Sequence, residues 1–134
     1  MLKFLGVKTH FVLDEPKPYQ SAIRLTEKLC DCDTPRDMLD LLSSIFQALK
    51  STVVDYHQGR VELEAMDDVL PLTIYCVALA CNLKRAVSAH QMMEDYCAVC
   101  ESETSGYNFE QKLLCNFECG LRYIALDFAA ERNE

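Results

Sequence analysis

Tryptophan is absent from this chain, and glycine and proline occur only four times each. So few turn-forming residues leave little room for hairpins, which need Gly, Asn or Asp at set positions. A β-sandwich or barrel is therefore excluded. Long apolar runs are missing too, since the longest, residues 69–81, is about half of the roughly 20 residues that a membrane helix needs. Positive charge is scarce: 13 Lys and Arg face 21 Asp and Glu, for a formal charge of -8. A surface that tracks nucleic-acid phosphates needs the opposite balance, so no nucleic-acid partner is expected. The N-terminus shows neither a basic-plus-apolar signal nor a small-residue cleavage site. Neither end carries a lipidation motif, the second residue being Leu2 rather than Gly. The chain reads as cytoplasmic, with no direct membrane insertion.

Cysteine, by contrast, is plentiful, with eight residues. Without a secretion signal these read as reduced thiols. Cys97-x-x-Cys100 followed by Cys115-x-x-x-Cys119 approaches a two-knuckle zinc pattern, but the extra spacer in the second pair suits a helix face. No metal and no other cofactor is expected. Cys76 and Cys81 lie in the apolar run as small buried hydrophobes. Cys30-x-Cys32 sits at a helix end with no evident partner. His10, His57 and His90 form no ligand or nucleophile-base set, and neither a nucleophile elbow nor a Gly-rich phosphate loop is present. Hydrolase and kinase chemistry have no support.

What remains is helical periodicity along almost the whole chain. The 134 residues suit one domain, and a domain of this size buries roughly two-thirds of its unfolded surface. The expected fold is all-α, a compact layered domain of about five helices. After an irregular entry over residues 1–18, a helix over 19–29 places Ala22, Ile23, Thr26 and Leu29 on one side. Thr34-Pro35-Arg36-Asp37 combines a capping-box-like pattern with Pro at the first helical position. The helix it starts runs to Tyr56, with a stripe of Met38, Leu42, Ile45, Phe46, Leu49 and Val53. Gly59 marks the stop, and a polar linker follows over 57–64. Further helices are expected from Asp67-Asp68 to Cys81, over 85–97 and over 109–130, with a polar loop at 101–107. The last helix carries Leu114, Phe117, Leu121, Ile124 and Phe128 on one stripe.

The most informative segment is Met66-Asp67-Asp68-Val69-Leu70-Pro71-Leu72-Thr73-Ile74-Tyr75. One acid is enough to cap a helix, and Pro is tolerated in a first turn because its missing N–H has no partner there. With Asp68 as the cap, Asp67 is surplus. A carboxylate at a helix entry beside an apolar surface can meet a cationic or metal-bearing partner. Both acids can also serve only to complement the helix dipole.

In the order of its elements the chain resembles the vacuolar protein sorting 9 domain, the catalytic module of exchange factors for early-endosomal Rab GTPases. The resemblance begins with Phe4-Leu5 and His10 and passes through Pro18-Tyr19-x-x-Ala22-Ile23 and Thr34-Pro35-Arg36-Asp37-x-Leu39. It centres on Asp67-Asp68-Val69-Leu70-Pro71-x-x-Ile74-Tyr75, and it continues through Asn82, Ser88, Gln91, Glu94 and Asp95. It covers about residues 2–127 of a single domain spanning 1–134. The family's module ordinarily follows a supporting helical bundle, which is not among these residues.

The resemblance implies exchange without covalent chemistry, so a GTPase regulator rather than an enzyme in the usual sense. The first acid of the motif, here Asp67, is inserted toward the P-loop lysine and magnesium site of the GTPase. Pro71 shapes the turn that presents it, and an apolar groove receives the switch regions. Asp68, Val69, Leu72 and Tyr75 are the residues expected to line or support that partner-binding surface. Family members usually carry Gly-Tyr-x-apolar-Thr before the last helix, with Tyr and Thr on the GTPase. Gly106-Tyr107-Asn108-Phe109 matches its first part and makes Tyr107 the third catalytic candidate, but Glu110 replaces Thr. A later alignment on Leu114-Cys115-Asn116-Phe117 puts Cys115 in place of Thr and Lys112 in place of Tyr. The threonine is missing either way. Two readings follow: an exchange module recruited peripherally to endosomes in endocytic trafficking, and a Rab-binding or scaffold module of the same fold with weak or no exchange.

Overall fold

The computed structural model describes residues 6–80, 82–100 and 108–128 of the chain. Five α-helices run in the order α1 (Gln20–Asp31), α2 (Pro35–Tyr56), α3 (Met66–Ala80), α4 (Leu83–Cys100) and α5 (Asn108–Arg122). A short 3-10 turn at Thr9–Phe11 precedes them, and a π-helical segment at Tyr123–Phe128 extends α5. There is no strand among the described residues. The all-α expectation stands.

Packing follows the apolar stripes. Ala22, Ile23, Thr26 and Leu29 form the buried side of α1, which lies against α2 and α3. The α2 stripe from Met38 to Val53 is buried as its three- and four-residue spacing dictates, with Leu49 and Val53 wholly inaccessible. Helix α5 packs on α2, α3 and α4 through Leu113, Leu114, Phe117 and Leu121. At Gly120 it faces α3, where an added Cβ would stand 3.4 Å from Cγ1 of Ile74, an ordinary van der Waals contact. Beside that contact Asn116 Nδ2 donates to Thr73 Oγ1 at 3.2 Å, while the Thr73 hydroxyl donates to the Val69 carbonyl at 3.0 Å. The polar atoms between the two helices thus satisfy one another.

Three local expectations need correction. At the start of α2, Thr34 occupies the N-cap, but its hydroxyl donates to the Asp37 carboxylate at 2.7 Å rather than accepting from a backbone N–H. The reduced state expected of all eight cysteines fails at Cys30, which is disulfide-bonded. A bridge is selected by proximity in three dimensions, which the Cys30-x-Cys32 spacing cannot display. Cys32, Cys76, Cys115 and Cys119 carry free thiols. The last helix does not continue as an α-helix beyond Arg122 but widens into the π segment. Residues 129 and 130 of the expected span lie outside the described residues.

Burial gives the core a pH signature. Desolvation pushes the Cys76 thiol from 9.0 up to about 12 and also raises the Tyr19 and Tyr75 hydroxyls. The folded chain holds the Cys76 proton through a range in which the unfolded chain releases it, so rising pH favours unfolding. Stability owed to this thiol is complete below pH 9.0 and is lost as pH climbs toward about 12. Denaturation midpoints measured across that range should fall steadily, and Cys76→Ala should flatten the fall.

Candidate functional site

The acids of the central motif stand at the N-terminal end of α3, which begins about one turn earlier in the chain than a cap at Asp68 would place it. Helix α3 begins at Met66, and the Ala65 carbonyl accepts the N–H groups of Asp68 at 3.0 Å and Val69 at 3.2 Å. Ala65 therefore occupies the cap position. Asp67 and Asp68 are the second and third helical residues, where the positive end of the helix dipole favours a carboxylate.

Pro71 then falls inside the helix, in its second turn rather than its first. The first-turn rule does not apply to it. A residue at this position would donate its N–H to the carbonyl four residues back, and that carbonyl belongs to Asp67. Pro71 has no N–H, and its ring crowds the same carbonyl. The backbone of Asp67 is thus released from one helical bond by the residue that shares its face.

The two acids divide their roles. Asp68 turns inward, 14% exposed, and its Oδ1 lies 2.9 Å from the Nζ of Lys8. Asp67 is exposed and has no ion-pair partner among the described residues. Lys8 is a neighbour of the acids that the sequence alone does not reveal. It lies sixty positions upstream in the irregular entry, and no periodicity links it to α3.

That entry is held in place at several points. The Tyr19 hydroxyl donates to the Phe11 carbonyl at 2.5 Å, His57 Nε2 lies 2.6 Å from the His10 carbonyl, and the Asp14 N–H donates to the Tyr56 hydroxyl at 3.1 Å. Tyr19 is 1% exposed and adopts a left-handed conformation, φ 61°, at the start of α1. Its ring meets that of Tyr75 edge-on at 6.4 Å, which ties the entry to α3. His10 and His57 serve this anchoring. His90 stacks on Phe117 and faces Glu94 and Glu118, each at just under 4 Å.

Val69, Leu72 and Tyr75 are buried, at 1%, 0% and 7% exposure. They fill core space beneath Asp67 and Pro71 and do not line an open surface. With Val69, Thr73 and Cys76 recurring at three and four residues, this is the inward stripe of α3. The outward face near Asp67 consists of Met66, Leu70 and Pro71, all half-buried. Residues three and four apart on a helix are neighbours, so Leu70 and Pro71 flank Asp67 directly. Leu70 belongs to the apolar surface beside the acid, and a helix that is apolar nearly all round hid which of its side chains would face out. Tyr107 lies outside the described residues. Of the alternative alignment, Lys112 and Cys115 are exposed on α5, while Asn116 is half-buried against Thr73.

The Vacuolar sorting protein 9 (VPS9) domain model matches residues 19–126, a span that contains all five helices except the last residues of the π segment. The chain belongs to this family. Its domains are exchange factors that bind Rab GTPases, so this VPS9 domain is a GTPase regulator by class. Comparison with curated proteins and with solved structures yields no match.

The contrast between the open acid and the buried stripe is measurable. Asp67→Ala should cost less than about 1 kcal/mol, the scale of a dipole-stabilised exposed carboxylate. Leu72→Ala should cost about 2–5 kcal/mol through the cavity it leaves. Parallel urea denaturation of the two variants reads the difference, and equal costs would mean that Asp67 is part of the packing.

Proposed function

We propose that this VPS9 domain promotes GDP release from an early-endosomal Rab GTPase, with Asp67 as the acid directed at the P-loop lysine and magnesium site. The observation that carries this reading is the placement of Asp67: exposed, in the first turn of α3, with its neighbouring acid already paired. A P-loop lysine and a magnesium ion hold the nucleotide phosphates. A carboxylate presented to that lysine takes the place of a phosphate oxygen in a charge-assisted hydrogen bond, and it disfavours the metal-nucleotide arrangement. Stabilising the nucleotide-free GTPase lowers nucleotide affinity by the same free energy, because the two binding events are linked.

Pro71 shapes the turn beneath the acid, Leu70 and Met66 offer apolar contact beside it, and Val69, Leu72 and Tyr75 hold the helix from below. Tyr107 is the proposed second contact on the GTPase. The domain acts from the cytoplasm and reaches endosomes through partners; no described helix is long and apolar enough to cross a membrane. The missing family threonine supports a second reading, a Rab-binding module that does not accelerate release.

Release of fluorescent GDP from a panel of Rab GTPases separates the two. Acceleration by the parent chain and its loss in Asp67→Ala, with helicity unchanged in both, is the expected result. A folded parent that binds a Rab without accelerating release would instead establish the binding module.

A further inference from the structure

We infer that Lys8 is a positioning residue of the exchange site, which withdraws Asp68 from the partner so that Asp67 is the single free carboxylate of the α3 turn. The inference rests on the exchange reading above and assigns to it a residue from outside the motif.

Three observations carry it. First, the Lys8 Nζ is 2.9 Å from Asp68 Oδ1, and the carboxylate it meets is 14% exposed, so Asp68 is turned toward the body of the domain. Second, Lys8 does not belong to a loose tail. Its carbonyl accepts the Phe11 N–H at 2.9 Å to open the 3-10 turn, and Val7 and Phe11 on either side are buried at 8% and 2% exposure. The carbonyls of His10 and Phe11 are held by His57 and Tyr19. The backbone thus brings the ammonium to Asp68. Third, Lys8 itself is 60% exposed. An ion pair with so open a partner contributes about 0–1 kcal/mol to stability, so its importance lies in placing charge rather than in holding the fold together.

Electrostatics supplies the mechanism. Two adjacent carboxylates at one helix end repel each other and would compete for an incoming lysine. With Lys8 in place the turn sums to a single negative charge, and that charge resides on Asp67. Without Lys8, Asp68 is left with no counter-ion and can reach for the same cation from a different angle. The apolar contact made by Met66, Leu70 and Pro71 is untouched by either state. The loss should therefore appear in the rate of release from the complex and not in the formation of the complex.

The test is GDP release from a responsive Rab, measured over a range of domain concentrations for the parent, Asp67→Ala, Lys8→Met, and Lys8→Met combined with Asp68→Asn. Lys8→Met should lower the maximal rate by about tenfold, the scale of a misplaced catalytic group, while the half-saturating concentration moves by less than about twofold. Adding Asp68→Asn removes the stranded charge and should return the rate toward the parent's, a rescue that a purely structural role would not produce. Thermal melts of each variant confirm that folding is retained. A Lys8→Met domain as fast as the parent, or a slow one that Asp68→Asn does not rescue, overturns the role of Lys8 and leaves the exchange reading standing. A parent that accelerates release from no Rab overturns both.

Discussion

Burial of the middle of α3 on all its sides is the constraint on which the rest of this structure depends. Residues 72–77 are six consecutive buried positions, which no helix with a solvent face can have. Helix α1 covers one side and α5 another, with Gly120 of α5 facing Ile74. A helix enclosed in this way can present chemistry only at its ends. Its N-terminal end is where the backbone is positive and where two acids stand, so enclosure and charge both point to that end.

Much of this was legible in the sequence because it depends on local rules. Helix α2 begins at Pro35 and ends at Tyr56 as the N1 proline and the apolar stripe indicate. The near-continuous apolar run from Val69 onward marks α3 as central, as observed. The start of α3 departs from the local rule. Proline is cheapest in a first turn, which puts the cap at Asp68 and leaves Asp67 surplus. The structure tolerates Pro71 one turn later and uses Ala65 as the cap. The carbonyl that proline there releases is the one that belongs to Asp67.

The residues that the sequence could not supply are those placed by tertiary contact alone. Lys8 meets Asp68 across sixty positions, and Tyr19 reaches both the Phe11 carbonyl and the Tyr75 ring. The disulfide at Cys30 is of the same kind. In each case the chemistry of the residue is plain from its name, but its partner is chosen by the fold. The all-round apolarity of α3 had a related effect. It concealed that Val69, Leu72 and Tyr75 point inward while Leu70 and Pro71 flank the exposed acid.

The irregular entry is best understood as part of the same arrangement. An irregular segment of this length has no helical ladder of its own, yet its carbonyls at His10 and Phe11 and its N–H at Asp14 find partners on His57, Tyr19 and Tyr56. Those bonds pass from the end of α2 and the start of α1 to a segment whose outermost cation rests on α3. The left-handed backbone of Tyr19, unfavourable for an aromatic residue, is offset by the buried hydroxyl contact and the ring contact that it makes possible. A strained residue at the base of the entry, a bonded chain above it and a lysine at its far end together bring a positive charge to Asp68. The charge balance at the head of α3 is consequently a property of the folded domain and not of the motif. A short acidic signature can recur in many helices; in this one the surrounding fold pairs Asp68 and leaves Asp67 open to solvent.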